Sequence, residues 1–198
     1  GKLDFTRTVA LTGDHAIHCA YYKMLPGTPY QSLLQSNVQR GEAVCTIAGN
    51  PLCGEEATWE TWLSPFTSQI TVLKDGKGVH ELLGWIMPRF DKFSMNGSFL
   101  SGLCSCLRKK TYKYDTRILG GHRQMIMSGE YEKVFPMDIF PEQLIKAIIA
   151  GDIDRMEALG IYEVAPEDFA AAEFVCSSKM ELQRIVREGL DKLRKEMC

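Results

Sequence analysis

Residues 138–152 read DIFPEQLIKAIIAGD, and at this point the chain changes its period. Pro141 stands in a first helical turn, where its missing N–H costs nothing, and Leu144, Ile145, Ile148 and Ile149 recur at three- and four-residue spacing as one apolar stripe. Gly151 supplies the stop, because glycine accepts the left-handed conformation that closes a helix. The same logic is repeated downstream. DIDRMEALG (152–160) runs from a capping Asp152 to a terminating Gly160, and PEDFAAAEF (166–174) opens with Pro and two acids at the positive end of a helix. Ser178 and Glu181 fit a capping box ahead of a seam made by Leu182, Ile185, Val186, Leu190 and Leu193. Four helices joined by such short stops predict a small bundle over 135–198.

Upstream the period is two. TRTVALT (6–12) and IHCAYYK (17–23) are rich in β-branched and aromatic residues and flank Gly13-Asp14, a hairpin-type turn signal. In PGTPYQSLLQS (26–36), Thr28 suits a helix cap, Pro29 the first helical position, and Leu33 and Leu34 the apolar face. EAVCTIAGNP (42–51) reads as a strand ending at Gly49-Asn50-Pro51. Strand, strand, short helix, strand predicts a β-grasp module over 6–58. Residues 59–134 read as strands and loops, with one hairpin in 68–87 turning at Asp75-Gly76 and a weaker one in 117–127 turning at Gly120-Gly121. Residues 96–110, NGSFLSGLCSCLRKK, fit a short helix or a loop. The fold class is α+β.

With 198 residues, 45% hydrophobic and 24% charged, the chain has the composition of a globular protein that buries its own core. A net charge of −2 excludes a dedicated nucleic-acid binder, and the one basic cluster, Arg108-Lys109-Lys110, reads as a solvated turn. No run approaches the apolar length of a membrane span. Seven cysteines, at 19, 45, 53, 104, 106, 176 and 198, follow no repeating spacing and suit a reducing, cytoplasmic setting better than a disulfide framework. The chain opens on Gly1 and runs almost at once into a strand, as expected of a piece of something longer.

Chemistry-bearing groups are sparse. His15, His18 and Cys19 use a zinc vocabulary, but alternation along a strand puts His18 and Cys19 on opposite faces. Cys104-Ser-Cys106 lacks the two-residue spacer of a thioredoxin-type pair and reads as buried small side chains. Trp59, Trp62 and Trp85 fit either an aromatic cleft or a core. No P-loop, G-x-S-x-G, H-E-x-x-H or G-x-G-x-x-G occurs, and no residue is assigned a catalytic or metal-binding role.

Residues 131–179, YEKVFPMDIF through FVCSSK, resemble the C-terminal domain of the A-subunit family (NqrA) of the bacterial Na+-translocating NADH:quinone oxidoreductase. TRTVALTG (6–13), LLGWIMPRFDKFS (82–94) and LGGHRQMI (119–126) look like the same family in the same order, so the likeness spans nearly the whole chain. It implies that residues 1–12 hold the end of a preceding Rossmann-like domain and that the β-grasp is of the soluble-ligand-binding (SLBB) type. The family looks related to the C subunit of the Rnf complex, whose helical domain carries two ferredoxin-type clusters spaced C-x2-C-x2-C-x3-C-P. Setting the last ligand of one motif on Cys176 puts the others at Ala172, Phe169 and Pro166, with Ser177 where proline should follow; the other motif falls on Met125, Ser128, Tyr131 and Phe135. A [4Fe–4S] cluster needs about four cysteine ligands, and one remains. Cys176 is therefore expected to be the remnant of a lost iron–sulfur motif, in a helical domain that has kept its scaffold and lost its clusters.

The resemblance further implies a peripheral subunit on the cytoplasmic face of the bacterial inner membrane. It would hold no cofactor itself, with NADH, flavins and iron–sulfur centres on other subunits. Its partners would be those subunits, chiefly the membrane-embedded B subunit, and ubiquinone, in the semiquinone-to-quinol step of a reaction coupled to Na+ export. The alternatives are a pure docking and assembly module, or an SLBB domain for another small ligand.

Overall fold

A computed structural model describes residues 1–39, 41–77, 112, 114–118 and 121–197. The chain is of mixed α and β structure and divides into two units, Gly1–Leu119 and Gly120–Cys198.

The first unit is built on a five-stranded sheet. Its strands are β1 (Arg7–Thr12), β2 (Ala20–Met24), β3 (Val44–Ala48), β4 (Glu55–Ala57) and β5 (Gln69–Lys74), in the order β2-β1-β5-β3-β4. β1 pairs antiparallel with β2, Val9 opposite Tyr22, and parallel with β5, Leu11 opposite Ile70. β5 in turn pairs antiparallel with β3, Thr46 opposite Val72. One helix, α1 (Gln31–Asn37), lies between β2 and β3 in sequence, and its Leu33 and Leu34 join Val9, Leu11, Tyr30, Leu63, Ile70 and Val72 in one core.

Three local readings change here. β2 begins at Ala20, so His18 and Cys19 lie in the connection rather than on alternating faces of a strand. Thr28 does not cap α1: the helix starts at Gln31 behind Tyr30, whose N–H donates to the Thr61 carbonyl at 3.0 Å, while Gln31 N–H donates to Trp59 O at 2.7 Å. Backbone carbonyls of the 59–61 loop satisfy the first donors, so no side-chain cap is required. The sheet also takes in a strand beyond the expected 6–58 module, because β5 is inserted between β1 and β3. The second arm expected within 68–87 lies mostly outside the described residues, as do Trp85, Cys104, Cys106 and the basic cluster at 108–110.

In the second unit the helices fall where the periodicity puts them. They are α2 (Pro141–Ala150), α3 (Ile153–Ala158), α4 (Ala170–Val175) and α5 (Leu182–Glu196), with 3-10 turns at Ile161–Glu163 and Pro166–Phe169. Gly151 adopts φ 72° at the end of α2, and the Asp152 side chain accepts the Arg155 N–H at 3.1 Å at the start of α3. The capping box at Ser178 does not form. Ser178 is buried and its hydroxyl donates to the Gln124 carbonyl at 2.8 Å, while the Gln183 N–H of α5 donates to the Glu173 carboxylate at 3.0 Å, so an acid on α4 does the capping. Residues 121–127, read as one arm of a hairpin, form no strand; Arg123 N–H instead donates to Ser178 O at 2.8 Å.

Gly13 marks the tightest point of the sheet unit. Its φ is +112°, and a Cβ there would stand 2.0 Å from the Val72 carbonyl oxygen, a backbone atom fixed by the β3–β5 ladder. Gly13→Ala combines a conformation that L-residues avoid with a clash that cannot be relieved by rotating a side chain. We expect it to cost at least about 2 kcal/mol, read as a lower denaturation midpoint of the sheet unit.

Candidate functional site

The residues that the ligand count singled out come together in the core of the second unit. Phe169 and Ala172 are fully buried, Cys176 is 1% exposed and Tyr131 2% exposed, all in one cluster with Leu144, Ile145, Met156, Leu182 and Val186. Met125 and Phe135 are partly buried against that cluster. The Tyr131 hydroxyl lies 2.9 Å from Cys176 Sγ, and the Phe135 and Phe169 rings are 4.7 Å apart at an interplanar angle of 58°. The Met180 N–H also points at Cys176 Sγ, at 3.5 Å. The thiol therefore has two polar neighbours in an otherwise apolar setting.

Of the two remaining positions of the count, Pro166 is buried in its 3-10 turn and Ser128 is held through its backbone. Glu142, in the first turn of α2 and only 2% exposed, accepts the Ser128 N–H at 3.0 Å and the Gly129 N–H at 2.8 Å on one carboxylate oxygen. The Ser128 hydroxyl donates to the same oxygen at 3.3 Å. This buried acid, which the apolar periodicity does not single out, ties the irregular 121–135 segment to the bundle. A buried carboxylate must find donors, and two successive backbone N–H groups supply them.

The other candidates are held apart. His15 Nε2 meets Glu42 Oε2 at 3.0 Å, and the same oxygen accepts from Lys74 Nζ at 2.8 Å. Lys74 first, then His15, holds the Glu42 carboxyl below its usual range. Cys19 Sγ instead faces the Gly13 carbonyl at 3.7 Å, and no set of three His, Cys, Asp or Glu side chains is grouped to hold a metal ion among the described residues. Trp59 and Trp62 are not core residues, being 37% and 69% exposed. An open groove of about 720 Å³ in the second unit is lined by Met125, Met127, Ile149 and Leu159, with Lys146 and Arg155 among its polar residues and no aromatic ring. Its size is that of a small-molecule site.

Burial pushes the Tyr131 phenol well above its ordinary value near 10, and the bond to Cys176 adds to the shift. Folding thus favours the neutral phenol: that stabilisation is complete below the ionisation of the unfolded chain and is lost as pH rises above it. Tyr131→Phe is expected to flatten the fall of unfolding free energy above pH about 10 and to lower stability at neutral pH by about 1 kcal/mol. Denaturant titrations at neutral and alkaline pH check both signs.

No family model matches the chain. It is 36% identical over 197 residues to the A subunit of the Na+-translocating NADH-quinone reductase of Pasteurella multocida, covering 99% of this chain and 43% of that protein. The proteins of the same name from Vibrio parahaemolyticus and Serratia proteamaculans match at the same identity and coverage. The chain thus spans less than half the length of these relatives. Across 99% of its own length, it is a homologue of NqrA, the A subunit of the Na+-translocating NADH-quinone reductases.

Proposed function

We propose that this chain is the C-terminal part of an NqrA protein and serves a Na+-translocating NADH:ubiquinone reductase on the cytoplasmic face of the membrane. The observation that carries this reading is identity sustained over 197 residues, across both units. No helix of the described residues is long and apolar enough to cross a membrane, which agrees with a protein that attaches to membrane partners, chiefly the B subunit. The strand order β2-β1-β5-β3-β4, with a parallel β1–β5 pair and a helix after the first hairpin, supports a β-grasp module of the SLBB type.

In this reading the chain carries no redox centre. An iron–sulfur pair is implied by the relationship to the Rnf protein, and the side chains do not fit it. In a two-cluster ferredoxin the fourth ligand of each motif serves the other cluster. The contacts here follow that crossed order: Cys176 meets Tyr131 of the other motif, and Phe135 meets Phe169. Apart from Cys176, phenyl, methyl, pyrrolidine, phenol, hydroxyl and thioether groups occupy the ligand positions, far short of the four thiolates that each cluster requires. The scaffold is consistent with a ferredoxin-like ancestor whose cluster space has been taken by side chains.

The chain's contribution would be to assembly and to the semiquinone-to-quinol step. The groove beside α2 and α3 supports a quinone contact, with Lys146 and Arg155 as donors to a ring oxygen. The exposed aromatic residues of the first unit support the second reading, a docking module without a quinone site. A quinone photoaffinity probe on the assembled complex separates them: labelling within 143–159 supports the quinone contact, and labelling confined to other subunits supports docking alone.

Two outcomes are expected of the cluster positions. Anaerobically purified full-length protein contains no stoichiometric iron or acid-labile sulfide, where one cluster would bring about four of each. Cys176→Ser, assayed in the assembled complex, changes quinone reduction by less than a factor of about two; a large loss of turnover with assembly intact would overturn the assignment.

A further inference from the structure

We propose that the face made by residues 24–37 and 57–68 is a docking surface for the apolar, basic-rimmed surface of another polypeptide of the complex. The inference rests on the proposed membership of that complex and deepens it by naming the face. The two stretches run side by side: Gly27 N–H donates to Leu63 O at 2.8 Å, Leu63 N–H donates to Thr28 O at 2.8 Å, and Pro29 pairs antiparallel with Trp62. Tyr30 and Leu63 turn inward, at 1% and 2% exposed. Leu25, Trp62 and Phe66 are exposed to solvent at 55%, 69% and 95%.

Such a set is not explained by the fold, since Leu33, Leu34, Tyr30 and Leu63 already close this side of the core. At side-chain areas of roughly 150–250 Å² each, the exposed parts of Leu25, Trp59, Trp62 and Phe66 amount to about 500 Å² of apolar surface. Summed over the two paired stretches, that area is comparable to the apolar share of one side of a standard protein–protein interface of about 800 Å² per partner.

Charge selects the occupant. In a chain that is 24% charged, the two stretches together carry one charged side chain, Glu60. Depletion of charge around exposed tryptophan is the signature of a protein–protein interface centre. A face that lies on an anionic bilayer pairs its aromatics with Lys and Arg, and these stretches contain neither. Glu60 calls for a Lys or Arg at the partner's rim.

The test uses the full-length protein and the detergent-solubilised reductase purified from a strain lacking it. Trp62→Ser with Phe66→Ser, and separately Glu60→Lys, are surface changes, and thermal unfolding confirms that each variant folds. The proposal expects retention on the complex to fall about tenfold or more for the double variant, and to fall with Glu60→Lys as well. Unchanged retention of the double variant overturns it. So does binding of wild type, lost in the double variant, to vesicles of phosphatidylethanolamine and phosphatidylglycerol, which would make the occupant lipid. Self-association abolished by the same changes would make it a second copy, and Trp62 already shielded from acrylamide in the isolated full-length protein would make the cover intramolecular. If wild type is not retained at all, membership of the complex itself fails.

Discussion

A phenol and a thiol buried together must satisfy one another, and that requirement fixes the middle of the helical unit. Tyr131 comes from a stretch with no helix or strand of its own, and Cys176 closes α4. Their 2.9 Å contact, with the Phe135–Phe169 rings beside it, brings the approach segment onto the bundle. Glu142 finishes the attachment by taking two backbone N–H groups from residues 128 and 129. With the bonds that Ser178 makes to Arg123 and Gln124, these three contacts hold residues 121–135, whose own backbone makes no ladder.

Much of this arrangement is legible in the residues alone. The 3.6-residue stripe, Pro141 and Gly151 specified α2 because those signals act locally, within one or two turns. Local signals failed where a distant group supplied the same physical need. Thr28 does not cap because carbonyls of the 59–61 loop reach α1 first, and Ser178 does not cap because Glu173 reaches α5 and Gln124 takes the serine hydroxyl. The place of β5 between β1 and β3 was likewise hidden, as a period-two run states that a strand exists and not which neighbours it takes. Counting ligand positions found Tyr131, Phe135, Phe169 and Cys176 as a set, yet only their packing reveals that they meet across the two motifs.

The two units carry different parts of the functional argument. In the helical unit one of the eight positions that a pair of clusters would use is a thiol, Cys176, and its buried partner is the Tyr131 phenol rather than further cysteines. In the sheet unit the exposed rings of Trp62 and Phe66 sit on a nearly uncharged face, a cost in solubility that a partner's surface would offset.

On the function proposed above, side chains and not a cluster hold the helical unit together. Hydrogen exchange across 141–196 in the full-length protein, before and after prolonged anaerobic treatment with an iron chelator and reductant, tests it most directly. Identical protection in α2 and α5 is expected under both conditions, because the contacts that hold them are between side chains and cannot be extracted. Loss of that protection on chelation would contradict it and would place a metal where the Tyr131–Cys176 and Phe135–Phe169 contacts stand.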